Sequence, residues 1–251
     1  MKWMVEITDI STDQRLLSDI LKGLKVELYT EDNITYLVSD QFDVESTSAE
    51  VWKIAKKMRD LIDEISKSTL GFKLGNLHEQ KEDGSRNQHV FASGSLSTGS
   101  MSINSTVDIT GEISEEERAR SEAEHQDYQY QKKLAPLVRL VSACFRDERC
   151  LRVYLLLKQE LTPPRMFNIF ELIRDDLGKN LNRLASNNDL KRFKTSVNHQ
   201  QVFGDESRHT VSKEEPPPNP MSLEEAQDFI SKIADSWFEQ KCEKCIDDNN
   251  A

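Results

Sequence analysis

Arg192 and His199 stand seven positions apart in RFKTSVNH, two turns along one face if the segment is helical. A fixed cation beside developing negative charge, with an imidazole that titrates near neutrality, can move a proton without a metal. Further on, GDESRH sets Arg208 and His209 behind a bend at Gly204 and Asp205. Glycine there is free to take positive φ, and the aspartate can bond nearby amides or cap a short helix. Lys191, Lys194 and Lys213 keep the whole stretch Asn187–Pro220 mildly basic inside a chain of formal net charge −11. An anion would meet attraction here and repulsion elsewhere. Arg192, Lys194, His199, Arg208 and His209 therefore form the candidate binding set, for an anionic ligand or an acidic protein partner. The plainest competing reading is a long loop pinned by Phe193, Val197 and Phe203, with its charges solvated.

In outline, the Arg192-to-His199 spacing resembles the Arg/His pattern of HEPN-type helical ribonucleases. That resemblance implies an alternative in which RNA is the substrate, Arg192 holds the scissile phosphate and His199 moves the 2′-hydroxyl proton. The chain departs from the pattern at Phe193, where those enzymes usually carry a polar residue. A broader resemblance runs through TDQRLL, YLVSDQF, PPRMFNIFELI, LKRFKTSVNH, GDESRH and PPPNPMSLEEA. Those segments look like uncharacterised bacterial proteins in which a small α+β domain precedes a helical one. The likeness implies a bacterial cytosolic protein and makes GDESRH a shared structural or binding element, with no known activity attached.

Other constellations are thinner. Cys242 and Cys245 supply two thiolates, but a structural zinc site needs four ligands and no second such pair stands at suitable spacing, unless Cys144 and Cys150 complete it in space. Asp205, Ser207 and His209 carry the residue types of a nucleophile relay without a nucleophile elbow. His78 and His89 flank the Asp83-Gly84 turn and are expected to face each other across a hairpin. Neither a metal nor a cofactor is expected.

These residues must be held by elements that the hydrophobic pattern locates. Trp3–Ile7 alternates as a strand, and Ser11 with Gln14 opens a helix that Gly23 stops. Strands over Lys25–Thr30 and Ile34–Ser39 enclose a turn in which Asn33 takes a left-handed backbone. Thr47 and Glu50 cap a second helix with a stripe of Val51, Ile54, Ala55, Met58, Leu61, Ile62 and Ile65. Strands follow over Phe72–Gln80, Gln88–Leu96 and Met101–Ile109, the last pair turning at Thr98-Gly99. A polar helix spans 112–135, and Pro136 kinks it or begins the next. Beyond that the pattern is helical. Leu151, Tyr154, Leu155 and Leu156 form one face, Thr162-Pro163-Pro164 starts a helix that Gly178 ends, and Ser222 with Glu225 caps the last helix, which buries Leu223, Ala226, Ile230, Ile233 and Trp237.

The fold class is therefore α+β: a mainly antiparallel sheet with two helices on one face, followed by an all-α domain. The domains are expected at 1–111 and 136–251, joined by the 112–135 helix. With 37% apolar and 31% charged residues the chain reads as a polar globular protein. It has no apolar run near eighteen residues and no apolar signal core behind MKWMVEITDI, so a cytoplasmic setting without membrane contact is expected. An acidic balance disfavours a general nucleic-acid coat. Together these features describe a non-catalytic binding or regulatory module.

Overall fold

The computed structural model describes residues 2–10, 14–67, 70–91, 115–207 and 217–250. They belong to two compact units, Met1–Val141 and Ser142–Ala251. The first carries an antiparallel sheet with helices and the second is helical, so the class is α+β.

The first unit contains β1 (Trp3–Ile10), α1 (Gln14–Gly23), β2 (Glu27–Glu31), β3 (Ile34–Val38), α2 (Asp40–Asp43), α3 (Ser48–Ser66), β4 (Phe72–Gln80) and β5 (Arg86–His89). The sheet order is β2-β3-β1-β4-β5, antiparallel at each neighbouring pair. Asp32 and Asn33, at φ 51 and 63, make the two-residue turn between β2 and β3 that a twisted hairpin prefers. Gly23 closes α1, yet the left-handed residue is Lys25, at φ 59. The chain continues one more turn, with Leu24 and Lys25 amides bonding back to Leu21 and Lys22, before Val26 returns to the Leu21 carbonyl. The expected capping box on α3 is present: Thr47 accepts from the Glu50 amide and Glu50 accepts from the Thr47 amide. Its stripe is buried at Val51, Ala55, Met58, Leu61, Ile62 and Ile65, with Ile54 half-buried at its edge. Gly84 turns the β4–β5 hairpin at φ 82. The Ser11 cap, the Thr98-Gly99 turn and the strand over Met101–Ile109 lie outside the described residues.

The register of β1 on β4 explains an otherwise odd carboxylate. Val5 pairs with Leu77 but Ile7 pairs with Leu74, so β4 carries one extra residue opposite Glu6. A bulge leaves an amide without a ladder partner, and here the Asn76 amide donates to Glu6 Oε2 at 3.1 Å, as does Asn76 Nδ2. Gly75 makes room for that carboxylate. A Cβ there would sit 2.9 Å from Glu6 Cδ and 2.9 Å from Thr8 Cγ2.

α4 (Glu115–Arg146) runs unbroken through Pro136, and the division between the units falls inside it. The helix expected over 112–135 thus continues eleven residues further, neither ending nor restarting at the proline. The second unit continues with α5 (Glu148–Leu157), α6 (Pro163–Leu177), a 3-10 turn at Gly178–Arg183, α7 (Asn187–Asn198), α8 (Gln200–Phe203), a 3-10 turn at Gly204–Glu206, and α9 (Leu223–Asn250). Pro163 and Pro164 open α6, and Gly178 closes it at φ 53. On α5 the buried residues are Cys150 and Val153, whereas Leu155 is exposed. The expected face of Leu151, Tyr154, Leu155 and Leu156 is thus only half-buried, at Leu151, Tyr154 and Leu156, and the innermost row is Cys150 and Val153. Leu223, expected to be buried on α9, is exposed as well, and Ala226, Ile230, Ile233 and Trp237 form the inner row. Phe167, Phe170, Phe193 and Phe229 meet in series as tilted pairs, with ring centres 5.9, 5.6 and 5.2 Å apart, through this core.

Gly75→Ala is expected to destabilise the chain by about 1–3 kcal/mol, the usual cost of forcing a methyl into a packed site. In a Glu6→Ala background the same change should cost less, because half of the clash has been removed. Urea denaturation of the unchanged chain, the two single variants and the double variant measures both values.

Candidate functional site

Arg192 leaves α7 and reaches the chain entering α9. Its Nε donates to the Asn219 carbonyl at 2.8 Å, and one terminal nitrogen donates to the Pro220 carbonyl at 3.1 Å and to Glu225 Oε2 at 2.9 Å. Glu225 is itself fixed, accepting from the Ser222 amide while the Ser222 hydroxyl accepts from the Glu225 amide. One turn along α7, the buried Ser196 hydroxyl accepts from the Met221 amide at 2.8 Å and donates to the Arg192 carbonyl at 2.8 Å. Two neighbouring side chains of α7 thereby fasten the far flank of the segment that leaves α8 and returns at 217.

His199 does not extend the face of Arg192. α7 ends at Asn198, and His199 turns to extended backbone at φ −100 and ψ 120, where it caps α8. Its Nδ1 accepts from the Gln201 amide at 3.2 Å, which assigns the proton of a neutral ring to Nε2. With 5% of its surface exposed, it is part of the packing under α8. The helix thus ends one residue before the second member of the expected pair, whose imidazole is engaged in capping α8. Lys194 and Lys191 are exposed on α7, while Arg208 and His209 lie outside the described residues. Ser207 is buried and Asp205 exposed, so these two members of the supposed relay do not share a surface.

A second charged cluster was not legible as such. Lys241 Nζ donates to Asp147 Oδ2 at 2.7 Å and to Asp176 Oδ1 at 2.8 Å, lying 5.4 Å from the centre of the Trp237 ring. Trp237 Nε1 donates to the other Asp176 oxygen at 2.9 Å, and Arg149 approaches Asp176 at 3.3 Å. Burial alone would raise the Asp147 and Asp176 carboxyls, but the bonds from Lys241 and its neighbours outweigh it and hold both below the ordinary value. Burial likewise pulls Lys241 down, and the two carboxylates more than restore it. Burial, with Asp147 nearby, pushes the Cys150 thiol up, so it is not a nucleophilic thiolate. Asp147 was visible as a polar break and Trp237 as core; their meeting across 94 residues with Lys241 was not.

On the sheet face that carries Glu6, Tyr36 pairs directly with Glu6 and its ring meets His78 edge-on at 5.4 Å. Burial pushes the Tyr36 phenol up, Arg86 pulls it back, and Glu6 and Glu31 add to the rise. His78 pairs with Gln88, and Leu77 with His89, so the two histidines occupy opposite faces of the hairpin instead of facing each other. Among the described residues no group of three or more His, Cys, Asp and Glu is placed to hold a metal, and no helix is long and apolar enough to cross a membrane.

Comparison with protein-family models, with curated proteins and with solved structures finds no match to this chain.

Lys241→Met should lower stability at neutral pH by about 2–3 kcal/mol, somewhat less than a fully buried pair because Asp147 keeps part of its solvent. The depressed carboxyls contribute stability that is present above their unfolded values, near pH 4, and lost as pH falls through the folded ones. The raised Lys241 contributes stability that is present below about pH 10 and lost as pH rises further. Denaturation midpoints against pH should therefore be level between these limits and fall on both sides, with both falls reduced in the variant.

Proposed function

We propose that the chain is a non-catalytic binding or regulatory protein of the bacterial cytoplasm. Its helical unit recognises an anionic group or an acidic protein partner through Lys194 on α7 and through Arg208 and His209 in the segment between α8 and α9. The observation that carries this reading is the Arg192 clasp, which bonds α7 to Asn219, Pro220 and Glu225 where that segment returns. Binding residues are commonly displayed on a connection whose ends a rigid scaffold holds, because the ordering has been done before the ligand arrives. Arg192 and His199 then serve as scaffold, one closing the base and the other capping α8. The exposed Lys191 and Lys194 extend a basic surface along α7 in a chain that is otherwise acidic.

Titration of the full chain with polyglutamate and with inorganic phosphate tests this. Changing Arg208 and His209 together to Ala should weaken polyglutamate binding roughly tenfold, the equivalent of about 1.4 kcal/mol, with no change in the unfolding midpoint. Arg192→Ala should lower stability by about 1–2 kcal/mol, a value discounted for the exposure of Glu225. Undiminished binding by the Arg208/His209 double variant would sink the reading.

A further inference from the structure

We infer that the outer edge of β2 is a docking site for an extended, basic polypeptide segment that adds a sixth strand beside it. Among the described residues β2 pairs with β3 alone and stands at the end of the sheet order. The two-residue turn at Asp32 and Asn33 makes Glu31 and Ile34 the closing hydrogen-bonded pair, and alternation from there fixes every position. Glu27, Tyr29 and Glu31 direct their backbone groups to β3. Leu28 and Thr30 direct theirs outward, so two amides and two carbonyls line an open edge, which is the template that strand addition uses.

The side chains beside that edge state what fits. Glu27, Tyr29 and Glu31 share one face, each directly across from a position of an added strand. Tyr29 is 37% exposed, and Ile34, opposite Glu31, is 36% exposed, so an apolar corner stands open at the middle and end of the strand. Glu27 is exposed and has no counter-ion among the described residues, whereas Glu31 is held by Arg86 at 2.6 Å. An incoming strand is thus read as a cation opposite Glu27 and an apolar or aromatic residue opposite Tyr29, with a weaker demand for a cation opposite Glu31. A second copy of the chain is a poor occupant. Antiparallel self-pairing centred on Tyr29 sets Glu27 against Glu31 twice, and like charges directly across a ladder repel.

The test uses the full chain and two capped peptides, one with Lys-Thr-Val-Thr-Lys at its centre and the other with Glu-Thr-Val-Thr-Glu. Amide resonances are followed by NMR. The lysine peptide should bind with shifts centred on residues 27–31 and slowed exchange of the Leu28 and Thr30 amides, at least tenfold more tightly than the glutamate peptide. Glu27→Lys should reverse that order. Thr30→Pro removes an outward donor without removing a ladder bond, and should abolish binding while the β2–β3 resonances persist. Equal affinity for both peptides, an order that Glu27→Lys leaves unchanged, or shifts that centre away from β2 would each overturn the proposal.

Discussion

A guanidinium has a fixed fork of donors, and those of Arg192 are directed at two carbonyls and a carboxylate within the unit. Its Nε and one terminal nitrogen are thereby committed to the entry of α9. The same side chain that looked most suited to chemistry is thus what ties α7 to α9, and the rest of the helical unit follows from it. Ser196 supports the contact one turn away by accepting from Met221, and Phe193, between them, buries its ring against Phe170 and Phe229. Polar bonds at the rim set the register, while the aromatic series beneath supplies the burial.

In the first unit the corresponding constraint is the orphan amide of the β4 bulge. Glu6 answers it, Gly75 yields the space, and Tyr36 and His78 line the same face. A carboxylate between Val5 and Ile7, in the apolar first half of the strand, interrupts that run for a local reason. The reason is visible only when the register of the partner strand is known. Strand residues of like alternation therefore differ in meaning: Glu6 is structural, and Glu27 on the edge strand faces solvent.

Local signals in the sequence carried most of the architecture. The Thr47/Glu50 and Ser222/Glu225 boxes, the proline pair opening α6, Gly178 at its end and the left-handed Asn33 all rest on interactions within four residues, and each is realised; the turn itself is one residue shorter than the Glu31-Asp32-Asn33 connection expected. What was not legible depends on long-range pairing or on helix phase. α5 buries Cys150 and Val153 and leaves Leu155 exposed, and α4 passed through Pro136 although proline removes a donor from the helix interior. The candidate site fell between these cases. Its residue types were apparent, but α7 ends one residue before His199 and commits that imidazole to a cap, and no periodicity forecasts a helix end so closely.

The two ion clusters on α9 bear on whether its entry is movable. From Glu225 to Lys241 is sixteen residues, or about 24 Å of helix at the usual rise. Between them Ala226, Ile230, Ile233 and Trp237 bury a continuous row, and at the far end Lys241 joins Asp147 and Asp176. A helix held by charge at both ends and by apolar contact along its length has no soft hinge in that span. Displacing Glu225 from Arg192 would require either fraying the first turn of α9 or tilting a rod whose other end carries a partly desolvated lysine between two carboxylates. The second course leaves buried charge without a partner, the more costly outcome. The clasp is therefore braced from behind by the buried row and by the Lys241 cluster sixteen residues further along α9.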